Sequence, residues 1–315
     1  MNPAHDRADG RRAVPPGQGR RVTPGRAARL AAVLLSFALA TGCVPGDGRT
    51  SGDASPTAPR SAAPSDPVPD AASGGHPPPP AGAAPDYQIG GPYPPTDEVG
   101  IVVRDRLADP DPERYSICYV NGFQTQPGEM HEWPEEVLLR DANGPVVDPD
   151  WPDEALLDTS TGARRDAILA RVVPWIEGCA AAGFDAVEFD NLDTYTRSGG
   201  ALTREDGVAL AEAYVTAAHR AGLAAGQKNA AEDAELLRAR AGFDFAVVEE
   251  CAAYEECGAY AEVYGPNVID IEYTDMLPHS FARLCSDPDS PSSMVLRDRE
   301  LTTPGDGTYV FEVCR

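Results

Sequence analysis

The chain has 315 residues, 26 of them basic and 50 acidic, for a formal charge of −24, and 42 % of it is hydrophobic. That apolar share supports a packed core and excludes a wholly disordered protein. The acid excess excludes a phosphate-reading face, and with it a nucleic-acid binder.

In chain order, residues 1–29 carry seven arginines and two aspartates, Leu30 to Ala40 are mainly apolar, and Thr41-Gly42-Cys43 follows. The apolar run is too short for an ordinary membrane span. A basic start, a short apolar middle and a small-residue end predict a secretory signal over 1–42. The Ala40-Thr41-Gly42-Cys43 ending is similar to a bacterial lipobox, which would lipidate Cys43, although Leu39 sits one place upstream of the usual leucine. The expectation is a protein exported and lipid-anchored to the outer face of a bacterial cell membrane, with plain secretion as the alternative. From Val44 to Pro85 there are 11 prolines in 42 residues. Such a segment buries little against its ordering entropy, so 43–85 is expected to be a disordered, Pro-rich tether.

Residues 86–315 are long enough for one α/β barrel or two small domains. Val99–Val103 and Tyr115–Val120 read as strands. Arg164–Ala182 has helical apolar spacing ending at Gly183, with Pro174 predicting a kink or break. Ala186–Asp190 is a strand, and Thr203–Ala221 a helix opened by the capping candidate Thr203. Ala224–Lys228, Phe245–Glu249 and Val268–Glu272 are strands, separated by helices over Glu232–Ala241 and Tyr254–Tyr264. This alternation implies parallel strands with helices outside. Met294–Leu296 and Tyr309–Val313 alternate like a hairpin added to the edge. The expected fold is α/β: a (β/α)8 TIM-type barrel with a short C-terminal β-hairpin.

Charged and polar groups gather where these strands end. Strand alternation puts Ala186, Glu188 and Asp190 on one face and Val187 and Phe189 on the other. The following strands end in Lys228-Asn229, Glu249-Glu250 and Glu272-Tyr273. In a barrel all these ends open on the face that carries active sites. Lys228 is the only lysine in the chain. A compact ammonium fits between carboxylates where a planar guanidinium does not.

The segment Gly183–Tyr195 (GFDAVEFDNLDTY) resembles the fifth-strand motif of glycoside hydrolase family 114, the endo-α-1,4-polygalactosaminidases. The resemblance continues through Gln227-Lys228-Asn229, Phe243–Cys251 with Tyr254 and Glu256-Cys257, and Ile271-Glu272-Tyr273-Thr274. Fainter echoes occur at Tyr87-Gln88 and Ile117-Cys118-Tyr119. The chain departs from the family in having Val248-Glu249-Glu250-Cys251 for Asn-Glu-Gln-Cys, and it diverges over Gly122–Pro152. The resemblance implies a barrel enzyme hydrolysing α-1,4 bonds inside a galactosamine polymer, without a metal or other cofactor. Asp190 would be the nucleophile or base and Glu249 the general acid, with retention of configuration favoured. Lys228 is expected to hold Asp190 ionised, and Glu250 and Glu188 to raise the pKa of Glu249. Asn191, Asp193, Tyr195, Asn229, Tyr254 and Glu272 are the expected contacts to a cationic polysaccharide bound by a monomer. Trp175 reads as core, and Trp133, in the divergent loop, as a surface for stacking on sugar.

Six cysteines follow Cys43. Cys251 with Cys257 would pin the loop after Glu249, and Cys285 with Cys314 would tie the tail to the barrel. Cys118 and Cys179 then remain, as a third pair or as buried thiols. Two other functions compete. One is a metal-dependent barrel phosphodiesterase using Glu188, Asp190 and Asp193, and the other is a tethered polysaccharide-binding lipoprotein without catalysis.

Overall fold

The computed structural model describes residues 77–314. The signal segment, Cys43 and most of the expected tether lie outside them. Among the described residues no helix is long and apolar enough to cross a membrane.

The strands are β1 (Ala84–Gln88), β2 (Val99–Asp105), β3 (Tyr115–Asn121), the two-residue pair β4 (Arg140–Asp141) and β5 (Gly144–Pro145), β6 (Ala186–Asp190), β7 (Ala224–Lys228), β8 (Phe245–Glu249), β9 (Val268–Tyr273), β10 (Ser293–Arg297) and β11 (Phe311–Val313). Strands β1, β2, β3, β6, β7, β8, β9 and β10 pair in that order, every pair parallel, and β11 adds antiparallel to β10. At the seam, the buried Arg297 of β10 donates to the carbonyl of Tyr87 and lies 3.5 Å from the carboxylate of Asp86, both on β1. It also donates to the carbonyls of Thr302 and Val310, so one guanidinium ties the closure to the tail.

Two cores follow from strand alternation. Ile101, Val103, Ile117, Ala186, Val247 and Ile271 pack inside the barrel. Val187 and Phe189 of β6 face outward against Val208, Ala211 and Tyr214 of a helix. Strands buried on both faces read as continuous apolar runs, as Ile101-Val102-Val103 does. Gly226 is required inside the barrel, because a Cβ there would lie 2.6 Å from the ring of Phe245.

The helices are α1 (Gly162–Ala182), α2 (Arg204–Arg220), α3 (Ala234–Arg240), α4 (Cys257–Tyr264) and α5 (Phe281–Leu284). Thr203 and Asp206 form a reciprocal capping box on α2, worth about 1 kcal/mol. Helix α1 runs through Pro174 without a break, and Gly183 ends it in the left-handed conformation. The hydrogen bond lost at Pro174 is outweighed by burial of Ile168, Val172 and Ile176 along the same helix face.

Four expectations change. The chain crosses the barrel only three times before Ala186, so the motif expected on the fifth strand occupies the fourth, and the next three strands are fifth to seventh. The eighth is Ser293–Arg297, expected as half of an edge hairpin but paired in parallel with β9. The first strand begins at Ala84, so the domain boundary expected at Asp86 falls inside β1; its Pro85 is buried. Helix α4 starts at Cys257 rather than Tyr254, because Glu255 is left-handed (φ 59°) and the Cys251–Cys257 disulfide closes a turn there. The Cys118–Cys179 and Cys285–Cys314 disulfides are also present.

Candidate active site

The floor of one cavity is built from strand ends. Asp190 comes from β6, Lys228 from β7, Glu249 from β8 and Tyr273 from β9, joined by Tyr87 of β1 and Tyr119 of β3, and Glu188 of β6 is fully buried behind Lys228 and Tyr87. The cavity encloses about 540 Å3 and opens at the C-terminal face of the barrel. The chain turns sharply as it leaves three of these strands. Asn191 (φ 67°), Asn229 (φ 50°), Ala230 (φ 64°) and Glu250 (φ 60°) are all left-handed. Asparagine tolerates that conformation, whereas Ala230 and Glu250 hold it at a cost of about 1 kcal/mol or more each.

Lys228 is the hub. Its side chain is 2 % exposed, and Nζ lies 3.2 Å from Glu249 Oε2, 3.5 Å from Asp190 Oδ2 and 3.7 Å from Glu188 Oε1. Nζ also donates to Tyr87 Oη at 3.0 Å, and that hydroxyl donates to Glu188 Oε1 at 2.7 Å. The rings of Tyr87 and Tyr119 flank the ammonium, with centroids at 5.2 and 5.7 Å. Asp190 accepts from the Tyr119 hydroxyl at 2.8 Å and from the Asn191 amide at 2.7 Å. Glu249 accepts from the Tyr273 hydroxyl and, at 3.1 Å, from Asn229 Nδ2. Both Asp190 Oδ2 and Glu249 Oε2 lie within 3.5 Å of one nitrogen, so the two oxygens are less than 7 Å apart.

Burial alone would push the Lys228 ammonium down, but Asp190, Glu249 and Glu188 outweigh it and hold its pKa well above the usual value. Burial pushes Glu188 up to about 7, against Lys228 and the Tyr87 hydrogen bond. Glu249 moves the other way. Burial raises it, yet Lys228, Tyr273 and Asn229 together bring it below an ordinary glutamate. The expected upward shift of Glu249 is therefore overturned. Its neighbour Glu250 turns away to pair with Arg299 at 2.6 Å, and Lys228 sits closer to Glu249 than to Asp190.

Of the expected sugar contacts, Asn191, Asp193 and Asn229 line the cavity. Tyr195 does not, because its hydroxyl is committed to Asp233 at 2.8 Å beside Arg204. Tyr254 is exposed on the turn between Cys251 and Cys257, away from the cavity lining. Glu272 is fully buried on the outward face of β9, where it accepts from the Ala252 amide at 2.8 Å. Trp133 is also core, packed edge-on against Trp175 with centroids 5.5 Å apart. Trp151 is the tryptophan at the cavity, and it is 60 % exposed.

Other cavity residues escaped sequence reasoning. Asp148, Trp151 and Glu154 come from residues 122–160, an excursion held over the barrel mouth by isolated bridges such as Gln124–Leu156 and Val147–Ala155. No periodic pattern marks that segment. Tyr119 and Tyr273 were more legible, since each lies on the inward face of a strand.

A divalent metal would need Glu188, Asp190 and Asp193 together. The Lys228 ammonium already lies between the first two, and Asp193 is paired with Arg197 at 2.9 Å. Among the described residues, the group close enough to share a metal is Cys251, Cys257 and Asp270, whose cysteines are consumed in a disulfide.

The family model described as glycoside-hydrolase family GH114 matches residues 66–315. The chain belongs to glycoside hydrolase family 114. It is therefore a glycosidase, and its charged cavity is the place to look for the chemistry. Similar solved structures include Aspergillus fumigatus Ega3 in complex with galactosamine, at 22 % identity and a TM-score of 0.60, covering 75 % of this chain and 96 % of that one. Another is the glycoside hydrolase domain of PelA from Pseudomonas aeruginosa, at 15 % identity and a TM-score of 0.50, covering 71 % and 96 %. At these identities the likeness establishes the barrel fold. No protein of curated function matches the sequence.

Proposed function

We propose that this family 114 member cleaves α-1,4 bonds within a cationic, galactosamine-containing polysaccharide, with Asp190 and Glu249 as the working carboxylate pair. The observation that carries this reading is the placement of both carboxylates around one buried ammonium at the floor of an acidic cavity. Glycoside hydrolysis needs one carboxylate beside the anomeric carbon and one acid at the leaving oxygen. An oxygen pair less than 7 Å apart is compatible with the retaining arrangement, in which the carboxyl groups are about 5–5.5 Å apart. The galactosamine in the Ega3 complex supports the choice of sugar.

Asp190 is the nucleophile in this reading, steadied by Tyr119 and the Asn191 amide. Lys228, Tyr273 and Asn229 keep Glu249 charged, and it takes up a proton as an entering sugar displaces water, because burial is the influence that raises it. Arg299 grips Glu250 at 2.6 Å and Asp275 at 2.8 Å, and its guanidinium lies 4.5 Å from the Tyr273 ring centroid. It thereby steadies the loops around Glu249.

The test is reducing-end release from partly deacetylated α-1,4-galactosamine polymer, with EDTA present. Activity should vanish in both Asp190→Asn and Glu249→Gln, and proton NMR of the first product should show the α anomer. With an aryl galactosaminide oligomer bearing a good leaving group, Glu249→Gln should recover much of its rate and Asp190→Asn none. Tight polymer binding without release would point to a binding lipoprotein, and loss of activity in EDTA to a metal enzyme.

Export is part of the same proposal. Three disulfides form readily only in an oxidising compartment, which supports a signal over 1–42. Lipid attachment at Cys43 would hold a monomeric enzyme at the outer face of the cell membrane. Palmitate labelling lost in Cys43→Ala would test the anchor.

A further inference from the structure

Among the described residues, the buried carboxylates around the cavity are matched to cations with one exception, whereas Asp105 and Asp150, also without a cation partner, are at least partly open to solvent. Asp190 and Glu249 share Lys228, Glu250 has Arg299, and Arg197 holds Asp148 at 2.7 Å and Asp193 at 2.9 Å. Glu154 is nine-tenths buried and lines the same cavity, yet no described Lys, Arg or His nitrogen lies within 4 Å of it. Asn121 Nδ2 donates to its Oε2 at 2.9 Å, and Oε1 has no donor among the described residues. The same Asn121 accepts at Oδ1 from Asn191 Nδ2 at 3.0 Å, so Glu154 is fixed relative to the residue following Asp190. Arg197 is the nearest source of compensation, but its fork is engaged by Asp148, Asp193 and Asn191 Oδ1.

We propose that Glu154 reads the substrate's amine: its carboxylate receives the 2-ammonium of a galactosamine residue seated beside Asp190, and so selects against an N-acetylated residue at that position. The inference rests on the polysaccharide reading above and names a specificity residue for it. A buried carboxylate without a counter-charge is costly, and an incoming ammonium removes that cost. A neutral acetamide leaves the charge uncompensated and adds bulk beside the Glu154 carboxylate. Burial pushes Glu154 up to about 7, with Asp190 and Asp148 adding to the rise and Asn121 and Arg197 opposing it. Amine binding must lower that pKa, so galactosamine affinity should climb as pH rises from 5 to 7.

The experiment measures galactosamine and N-acetylgalactosamine binding by ligand-observed NMR at pH 5, 6 and 7, in wild type and Glu154→Gln. Wild type should prefer the free amine by about 10- to 100-fold at pH 7, the range for a charge-assisted hydrogen bond. Its galactosamine affinity should strengthen by up to about tenfold per pH unit below 7. In Glu154→Gln the preference should fall to about threefold or less, and the pH dependence should flatten. On the polymer, KM should rise more than kcat falls. A variant that keeps the preference, or a wild-type affinity flat from pH 5 to 7, overturns the proposal. The wild-type titration stands even if the variant fails to fold. If wild type binds galactosamine through Glu154 but releases no reducing ends, the hydrolytic reading fails and this inference survives. Cleavage indifferent to Glu154 gives the opposite result.

Discussion

Replacing Lys228 by methionine would leave Glu188, Asp190 and Glu249 around a neutral side chain. At an effective dielectric constant near 20, one ion pair at about 3.5 Å is worth roughly 5 kcal/mol, and Nζ makes three contacts of 3.2 to 3.7 Å. The full sum is never lost, because the stranded carboxylates take up protons instead. Removing one partner of a buried pair costs about 3–5 kcal/mol, and that is the deficit expected at pH 8. The pH dependence gives the sharper check. Without Lys228, Glu249 joins Glu188 as a carboxyl whose folded pKa exceeds its unfolded value. The stability contribution of such groups is fully present below about pH 4.5 and is lost as pH rises through the folded pKa. The deficit should therefore shrink to about 1 kcal/mol near pH 5, each proton recovering about 1.4 kcal/mol per pH unit. Urea unfolding at pH 5, 6.5 and 8 measures it, beside reducing-end release at each pH. A deficit of equal size at pH 5 and 8, or none at either, would refute the reasoning. Turnover should drop by at least about 100-fold. Lys228→Arg should also lose most activity, since a planar fork cannot sit equidistant from three carboxylates, and near-wild-type turnover by it would contradict that geometry.

Trp151→Ala should raise KM for the polymer by about tenfold, the loss of one stacking surface, while the melting temperature stays level because the residue is 60 % exposed. Asp270 and Glu272 are both buried beneath the turn after Glu249; burial and their mutual repulsion raise Asp270 well above an ordinary aspartate, and Glu272 is raised too, first by burial. The stability of the pair is retained at low pH and lost as pH rises, so Asp270→Asn should melt higher than wild type at pH 8, by about 2–4 °C, and level with it at pH 5; parallel melting curves across pH would count against this. Replacing Cys251 and Cys257 by serine opens a loop of sequence separation 6 and should cost about 2 kcal/mol, read by urea unfolding, with protease cleavage appearing between them. Arg299→Ala releases Glu250 and Asp275 and uncovers the Tyr273 ring. Turnover should fall about tenfold with stability changed by less than about 1 kcal/mol, as the guanidinium is half-exposed.

Local order in the chain determined a good deal on its own. Period-two alternation put Glu188 and Asp190 on the inner face of their strand and Val187 and Phe189 on the outer. The Thr203 capping signal opened α2, Gly183 closed α1, and the spacing of Cys251 and Cys257 matched the turn they staple. These features depend on neighbours in sequence, so a single strand or helix suffices to express them. Tertiary structure decided the rest, because it depended on groups distant in the chain. Ala84–Gln88 is a strand because the barrel needs an eighth edge to close against β10, not because its own residues favour one. Glu272 faces outward because Ile269, Ile271 and Tyr273 fill the interior, and a strand apolar on both faces does not announce which side is which. Glu249 has its pKa lowered rather than raised because Lys228 reaches across from β7 and Glu250 is drawn off by Arg299. Glu154 joins the site only because residues 122–160 fold back over the barrel mouth, where Asn121 of β3 holds it 33 residues away in sequence.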